Sequence, residues 1–107
     1  MKSYKYASLF YCKRAIEIDA TDEETLDWII ASIKKSAPSC SKRILSDGTL
    51  LFQDLQGKDV MIGSWIRTQL CLKGWEPFAV YRHKWSDDSP GTYYHFRFEN
   101  SKSTGTS

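Results

Sequence analysis

The chain lacks any Cys-x-x-Cys pair: Cys12, Cys40 and Cys71 are odd in number and far apart. They imply neither a disulfide framework nor a zinc site, and all three read as free thiols, with Cys12 and Cys71 expected to be buried and inert. No apolar run approaches the roughly 18 residues that a membrane-spanning helix needs, and residues 1–6 (MKSYKY) lead into strand-like sequence without a secretory core. A cytoplasmic location and no membrane partner are the expectation. A dominant charge is also missing. Fifteen basic against 13 acidic residues leave a net charge of +2, too balanced for a nucleic-acid binder held by counterion release. The Gly-x-Ser-x-Gly elbow, the phosphate loop, His-Glu-x-x-His and the dinucleotide-binding Gly-x-Gly-x-x-Gly are all absent, so neither an enzyme nor a cofactor is expected. With 107 residues there is room for one core and no second domain.

What the sequence has in excess is aromatic side chains. Four tryptophans, six tyrosines and five phenylalanines each offer about 150–250 Å² for burial. A core this small cannot hide them all, so some rings should be displayed.

Along the chain, β-branched and aromatic residues fill 3–19, predicting one long strand or two pieces joined near Lys13 and Arg14. Tyr4, Tyr6, Phe10, Cys12, Ile16 and Ile18 are its more apolar positions. The run Thr21-Asp22-Glu23-Glu24 is a capping box with acids where the helix dipole favours them. Leu26, Ile29, Ile30 and Ile33 then keep helical spacing up to about Ser36. Asp47-Gly48 between two apolar runs predicts a hairpin over 42–53, with a type I′ turn and positive φ at both residues. A second helix is expected over about 60–73, carrying Met61, Ile62, Trp65, Ile66 and Leu72 on one broad face. Gly74 stands where a left-handed residue closes a helix. Strands follow at 75–85 and 93–99, around a loop at 86–92. Residues 100–107 are small and polar, and are expected to form a disordered tail to a single domain at 1–99. The resulting order, β-α-β-β-α-β-β, predicts an α+β fold: one mainly antiparallel sheet with both helices on one face, in ferredoxin-like order plus one strand.

The stretch Leu70-Cys71-Leu72-Lys73-Gly74-Trp75-Glu76, followed by Phe78, Val80, a loop and an aromatic strand, resembles small uncharacterised bacterial proteins with a helix, Gly-Trp-Glu and a hairpin. About 30 of the 107 residues carry the likeness. It implies the local helix-to-hairpin arrangement and no activity.

The last hairpin yields a parity argument. If Phe78 and Val80 face the core together with Tyr94, Phe96 and Phe98, the sum of the numbers of opposed residues must be even. Trp85 is then expected opposite Tyr93, His83 opposite His95 and Tyr81 opposite Arg97. Tyr81, His83, Trp85, Tyr93, His95 and Arg97 share the outward face. Cross-strand aromatic pairs on a solvated sheet, or cover by the chain itself, would explain them without a partner. Among functional readings a protein partner comes first, because Trp, Tyr and Arg are enriched at interface hot spots. Single-stranded nucleic acid stacking on the same rings is the alternative, although 48–53 (GTLLFQ) departs from the RNA-recognition-motif pattern. An unrecognised enzyme is third. His83 opposite His95, with Asp87 and Asp88 between them, offers two imidazoles to a metal but no fixed third donor, so no metal site is assigned. Trp28 lies about 200° from Leu26 on a helical wheel, nearly opposite the apolar stripe. It is expected to be exposed and is a second candidate anchor. Monomer and homodimer both remain open at this point.

Overall fold

Lys13 and Arg14 interrupt the first apolar run, and there the chain turns back on itself. The computed structural model describes residues 3–55, 59–85 and 88–100. In it the expected first strand is two strands, β1 (Tyr4–Cys12) and β2 (Ala15–Ala20), paired as a hairpin. Helix α1 (Glu23–Ser36) follows, then the hairpin of β3 (Ser41–Ile44) and β4 (Leu50–Gln53), helix α2 (Asp59–Leu72), and the hairpin of β5 (Glu76–Lys84) and β6 (Pro90–Glu99). Three hairpins separated by two helices make one antiparallel sheet of six strands, in the order β3-β4-β2-β1-β6-β5. The α+β class and the single antiparallel sheet agree with expectation. The sheet is larger, and the ferredoxin-like order is not found. The reason is local: of the two readings of 3–19, two pieces joined near Lys13 and Arg14 is the one found, and the two-residue turn there adds a hairpin that the single-strand order left out.

That turn also reverses parity. Tyr11 pairs with Ile16 and Leu9 with Ile18, so Ile16 and Ile18 join Ala7 and Leu9 under the helices. Tyr4, Tyr6, Phe10 and Cys12 lie on the opposite, open face. The main core gathers Leu9, Ile16, Ile18, Phe52 and Phe96 from the sheet with Ile29, Ile33, Ile66 and Leu70 from the helices. None of the helices among the described residues is long and apolar enough to cross a membrane.

Both helices end as local chemistry dictates. The N-cap of α1 is Asp22, one residue later than the capping-box pattern placed it. Its carboxylate accepts the Thr25 N–H at 3.1 Å and the Thr25 hydroxyl, which holds its pKa below the ordinary carboxylate value. Thr21 is instead tied to β1, its hydroxyl oxygen accepting the Tyr6 N–H at 3.1 Å. At the end of α2, Gly74 has φ +102°. The Trp75 N–H reaches the Leu70 carbonyl at 3.0 Å and the Gly74 N–H reaches that of Cys71 at 3.1 Å, the paired bonds of a Schellman closure. Trp75 and Leu70 are thereby brought together in the core.

Two expectations for α2 are corrected. Met61 and Leu72 are exposed rather than core-facing, and Cys71 is exposed rather than buried. The helix buries Gly63, Ile66 and Leu70, a narrower stripe than the apolar composition implied. Gly63 is required by proximity, because a Cβ there would collide with the Tyr11 ring.

The central turn also differs in detail. The Gly48 N–H donates to the Leu45 carbonyl at 3.0 Å and the Leu45 N–H to that of Thr49 at 2.8 Å. The loop therefore has three residues, and only Gly48 has positive φ, at +90°. Asp47 keeps ordinary φ and accepts the Thr49 N–H at 3.0 Å. This is the type I turn followed by a left-handed residue that three-residue hairpins use. In the last hairpin Asp88 has φ +67°, its N–H donates to the Trp85 carbonyl, and the Trp85 N–H donates to that of Ser89.

A Cβ at position 48 meets nothing within 4 Å, so substitution there tests backbone strain alone. Gly48→Val should destabilise by about 1 kcal/mol or more in chemical denaturation and Gly48→Asn by clearly less. A second prediction concerns Tyr11, which stacks on Tyr94 at 5.9 Å. Burial, then the hydrogen bond and charge of Tyr94, push its phenol from 10.0 to about 12. Because the folded value lies above the unfolded one, this contribution to stability is complete below pH 10 and is lost as pH rises towards 12. Spectroscopic phenolate titration should show a late-titrating tyrosine that Tyr11→Phe removes, and the variant should lose less stability across that pH range.

Candidate functional site

The open face of the sheet is built by alternation on three neighbouring strands. Tyr81 and His83 on β5, and Tyr93, His95 and Arg97 on β6, lie on one face as parity required. Opposed residues in β5 and β6 sum to 174 from Ala79 to Lys84, which is even. The partners are nevertheless shifted: Tyr81 opposes Tyr93 and His83 opposes Gly91, because Pro90, Gly91 and Thr92 belong to β6 rather than to a long loop. His83 is therefore not opposite His95, and Asp87 lies outside the described residues. Among the described residues, no group of three or more His, Cys, Asp or Glu side chains is placed to hold a metal ion.

A bulge between Pro77 and Ala79 overturns the expectation for Phe78. Its ring lies 6.1 Å from Tyr6 and 6.2 Å from His95, on the open face rather than in the core. Val80 does share the helix-side face with Tyr94, but it is 54% exposed.

His95 is the centre of this face. Its Nδ1 lies 3.0 Å from the Ser8 hydroxyl and its Nε2 lies 3.2 Å from the Tyr81 hydroxyl. A hydroxyl can donate or accept, so either neutral tautomer of the ring is satisfied. The imidazole stacks on Tyr93 at 4.9 Å, and Tyr93 stacks on Tyr81 at 5.5 Å. Burial, then the negative charge of Glu17, hold the Tyr93 phenol above its ordinary value. Arg97 is engaged on three sides. Its Nε donates to Glu76 at 2.7 Å, and its guanidinium lies over Tyr4 at 5.0 Å and Phe78 at 5.6 Å.

Trp85 does not display its ring. It is half-buried against a second small core formed by Phe10, Cys12, Ala15 and Leu51, and its Nε1 donates to Glu17 at 3.1 Å. Phe10 is fully buried there because Gly91, which has no Cβ to meet its ring, lets the two come close. The chain thus covers one end of its own open face. Trp28 is corrected as well: it is half-buried between the helices, edge-on to Trp65 at 6.2 Å and beneath the Lys73 ammonium at 5.1 Å. The buried side of α1 centres on Thr25, Ile29 and Ile33, and α2 occupies the flank on which Trp28 stands.

What remains open is a patch of three large rings: Tyr6 and Phe78, each 48% exposed, and Tyr81, 46% exposed. Sequence reasoning placed only Tyr81 there. Tyr6 carried the right alternation, but its face depended on whether the chain reverses after Cys12. Phe78 was assigned to the core by its alternation with Val80, and the one signal of the bulge that reverses it is the neighbouring Pro77, a residue of edge strands and irregular strand entries. The contact between Ser8 and His95 depends on the pairing of β1 with β6, nearly the whole chain apart.

No family model matches the chain, and no curated protein matches it. Among solved structures, one described as a conserved kinetoplastid-specific protein from Trypanosoma cruzi superposes with a TM-score of 0.56 over 91% of this chain and 97% of that one, at 15% identity. This likeness concerns the fold, a mixed α+β arrangement, and nothing further.

Because Trp85 closes the second core, its loss should be felt in stability. Trp85→Ala is expected to lower unfolding free energy by about 2 kcal/mol, below the cost for a fully buried tryptophan. Tyr81→Ala, at an exposed position, should cost less than half as much in the same denaturation series.

Proposed function

We propose that this chain is a non-enzymatic binding module that engages a protein partner through the open face of β1, β6 and β5. The observation that carries the proposal is the contiguous exposure of Tyr6, Phe78 and Tyr81 beside the ion pair of Arg97 and Glu76. An apolar centre with a polar rim is the anatomy of a protein interface. Of the residues first expected to bind, Tyr81, His83, Tyr93, His95 and Arg97 lie on this face, whereas Trp85 is packed over the second core at one end of it and Trp28 lies between the helices.

Single-stranded nucleic acid is the weaker reading for two reasons. The rings of Tyr81, Tyr93 and His95 are already stacked on one another, leaving little free ring face for a base. The Arg97 charge is committed to Glu76 rather than free for a phosphate.

Capture of partners from nuclease-treated extract tests the proposal directly. Nuclease should leave the captured protein in place, and Phe78→Ala or Tyr6→Ala should weaken its binding by about tenfold or more with little change in thermal stability. Capture that disappears with nuclease, or that falls steeply with salt, would replace the protein partner by nucleic acid.

A further inference from the structure

Strand β5 is one of the two edges of the sheet, and its backbone polarity can be worked out from two independent bonds. The Trp85 N–H donates to the Ser89 carbonyl at 2.9 Å. In an antiparallel ladder hydrogen-bonded pairs recur at every second residue, so His83, Tyr81 and Ala79 turn their N–H and C=O groups towards β6. On the far side of β6 the Asn100 N–H reaches the Ser3 carbonyl at 2.9 Å. This assigns the even-numbered residues of β6 to β1 and leaves the odd ones for β5. Both bonds lead to the same result: the backbone groups of Val80, Arg82 and Lys84 point outwards, where no described strand lies.

The side chains at this edge alternate in character. Val80, Arg82 and Lys84 are exposed on the helix-side face, and Tyr81 and His83 are exposed on the open face. Among the described residues neither Arg82 nor Lys84 has an ion-pair partner. The opposite edge, β3, is only four residues long and offers fewer outward groups.

Charge decides what can occupy the β5 edge. Pro77, which has no N–H, and the bulge after it end the regular edge, so a second copy could pair only through 79–84. That pairing crowds Arg82 and Lys84 of each copy against those of the other, and like charges close across a ladder are destabilising. The same cations that reject a second copy attract carboxylates.

We infer that β5 accepts an extended acidic segment of a protein partner as an added strand, with carboxylates at alternate positions beside Arg82 and Lys84 and apolar side chains between them against Tyr81. Main-chain bonds to Val80, Arg82 and Lys84 supply the affinity, and the alternation supplies the specificity. The inference rests on the protein-binding reading above and names the chemistry of the partner.

The test uses the intact protein and two capped peptides of about eight residues, one alternating glutamate with valine and one alternating lysine with valine. Amide exchange by NMR should show Val80, Arg82 and Lys84 exchanging freely alone and slowed about tenfold or more by millimolar glutamate peptide. The lysine peptide should leave them unchanged. The double variant Arg82→Glu/Lys84→Glu should reverse that preference. Equal protection by both peptides, or none from the glutamate peptide at any concentration up to solubility, overturns the inference. So does protection by oligouridylate in place of the peptide. The two proposals fail separately. If Phe78→Ala abolishes capture while Arg82→Glu/Lys84→Glu does not and no peptide protects the edge, strand addition is wrong and the aromatic face stands.

Discussion

The pairing of β1 with β6 is the contact on which the rest of the molecule depends. Tyr4 opposes Glu99 and Cys12 opposes Gly91, so the ladder joins the first hairpin to the last across almost the entire sequence. Closing so long a loop is entropically costly, and the contacts that offset the cost lie on both sides of β1. Leu9 is buried beneath the helices and Phe10 is buried on the opposite face. A central strand that packs on both faces creates two cores of unequal size. The larger holds the helices; the smaller leaves part of the sheet open.

That division explains why the aromatic excess is tolerated. Rings that the main core has no room for are placed on the second face, where they stack on one another instead of standing free. Phe10 lies against the backbone at Gly91, Trp85 closes over the resulting cluster, and Tyr93 and His95 continue the stack towards β5. Towards Tyr6 and along β5 the cover runs out, leaving Tyr6, Phe78, Tyr81 and His83 exposed. The bulge at Pro77 contributes to that exposure twice over, by turning Phe78 onto the open face and by ending the regular edge of β5.

Electrostatics on this face are local. Arg97 is neutralised by Glu76, and Glu17 accepts from Trp85, so the centre of the patch has charge on both sides and no dominant sign. At the rim, on β5, Arg82 and Lys84 have no ion-pair partner among the described residues. A partner would therefore meet apolar rings in the middle and a basic strand at the edge, an arrangement in which burial supplies the attraction and charge sets the orientation.

By itself the sequence determined the features that short-range chemistry controls: two amphipathic helices and their ends near Ser36 and Gly74, the turn containing Gly48, and the even parity of the last hairpin. Each follows from residues within a few positions of one another, through capping, positive φ or alternation. Tertiary structure alone decided which face each strand presents. Two changes of parity, the turn at Lys13 and Arg14 and the bulge at Pro77, moved Phe10, Cys12 and Phe78 to the open side without altering the local hydrophobic pattern. It also decided that Trp85 and Trp28 are covered, because their covering residues arrive from β1, β2 and α2, at sequence distances over which no periodicity carries information. A one-residue step in a strand exchanges inside for outside, so the exposed patch became visible only once every strand had a partner.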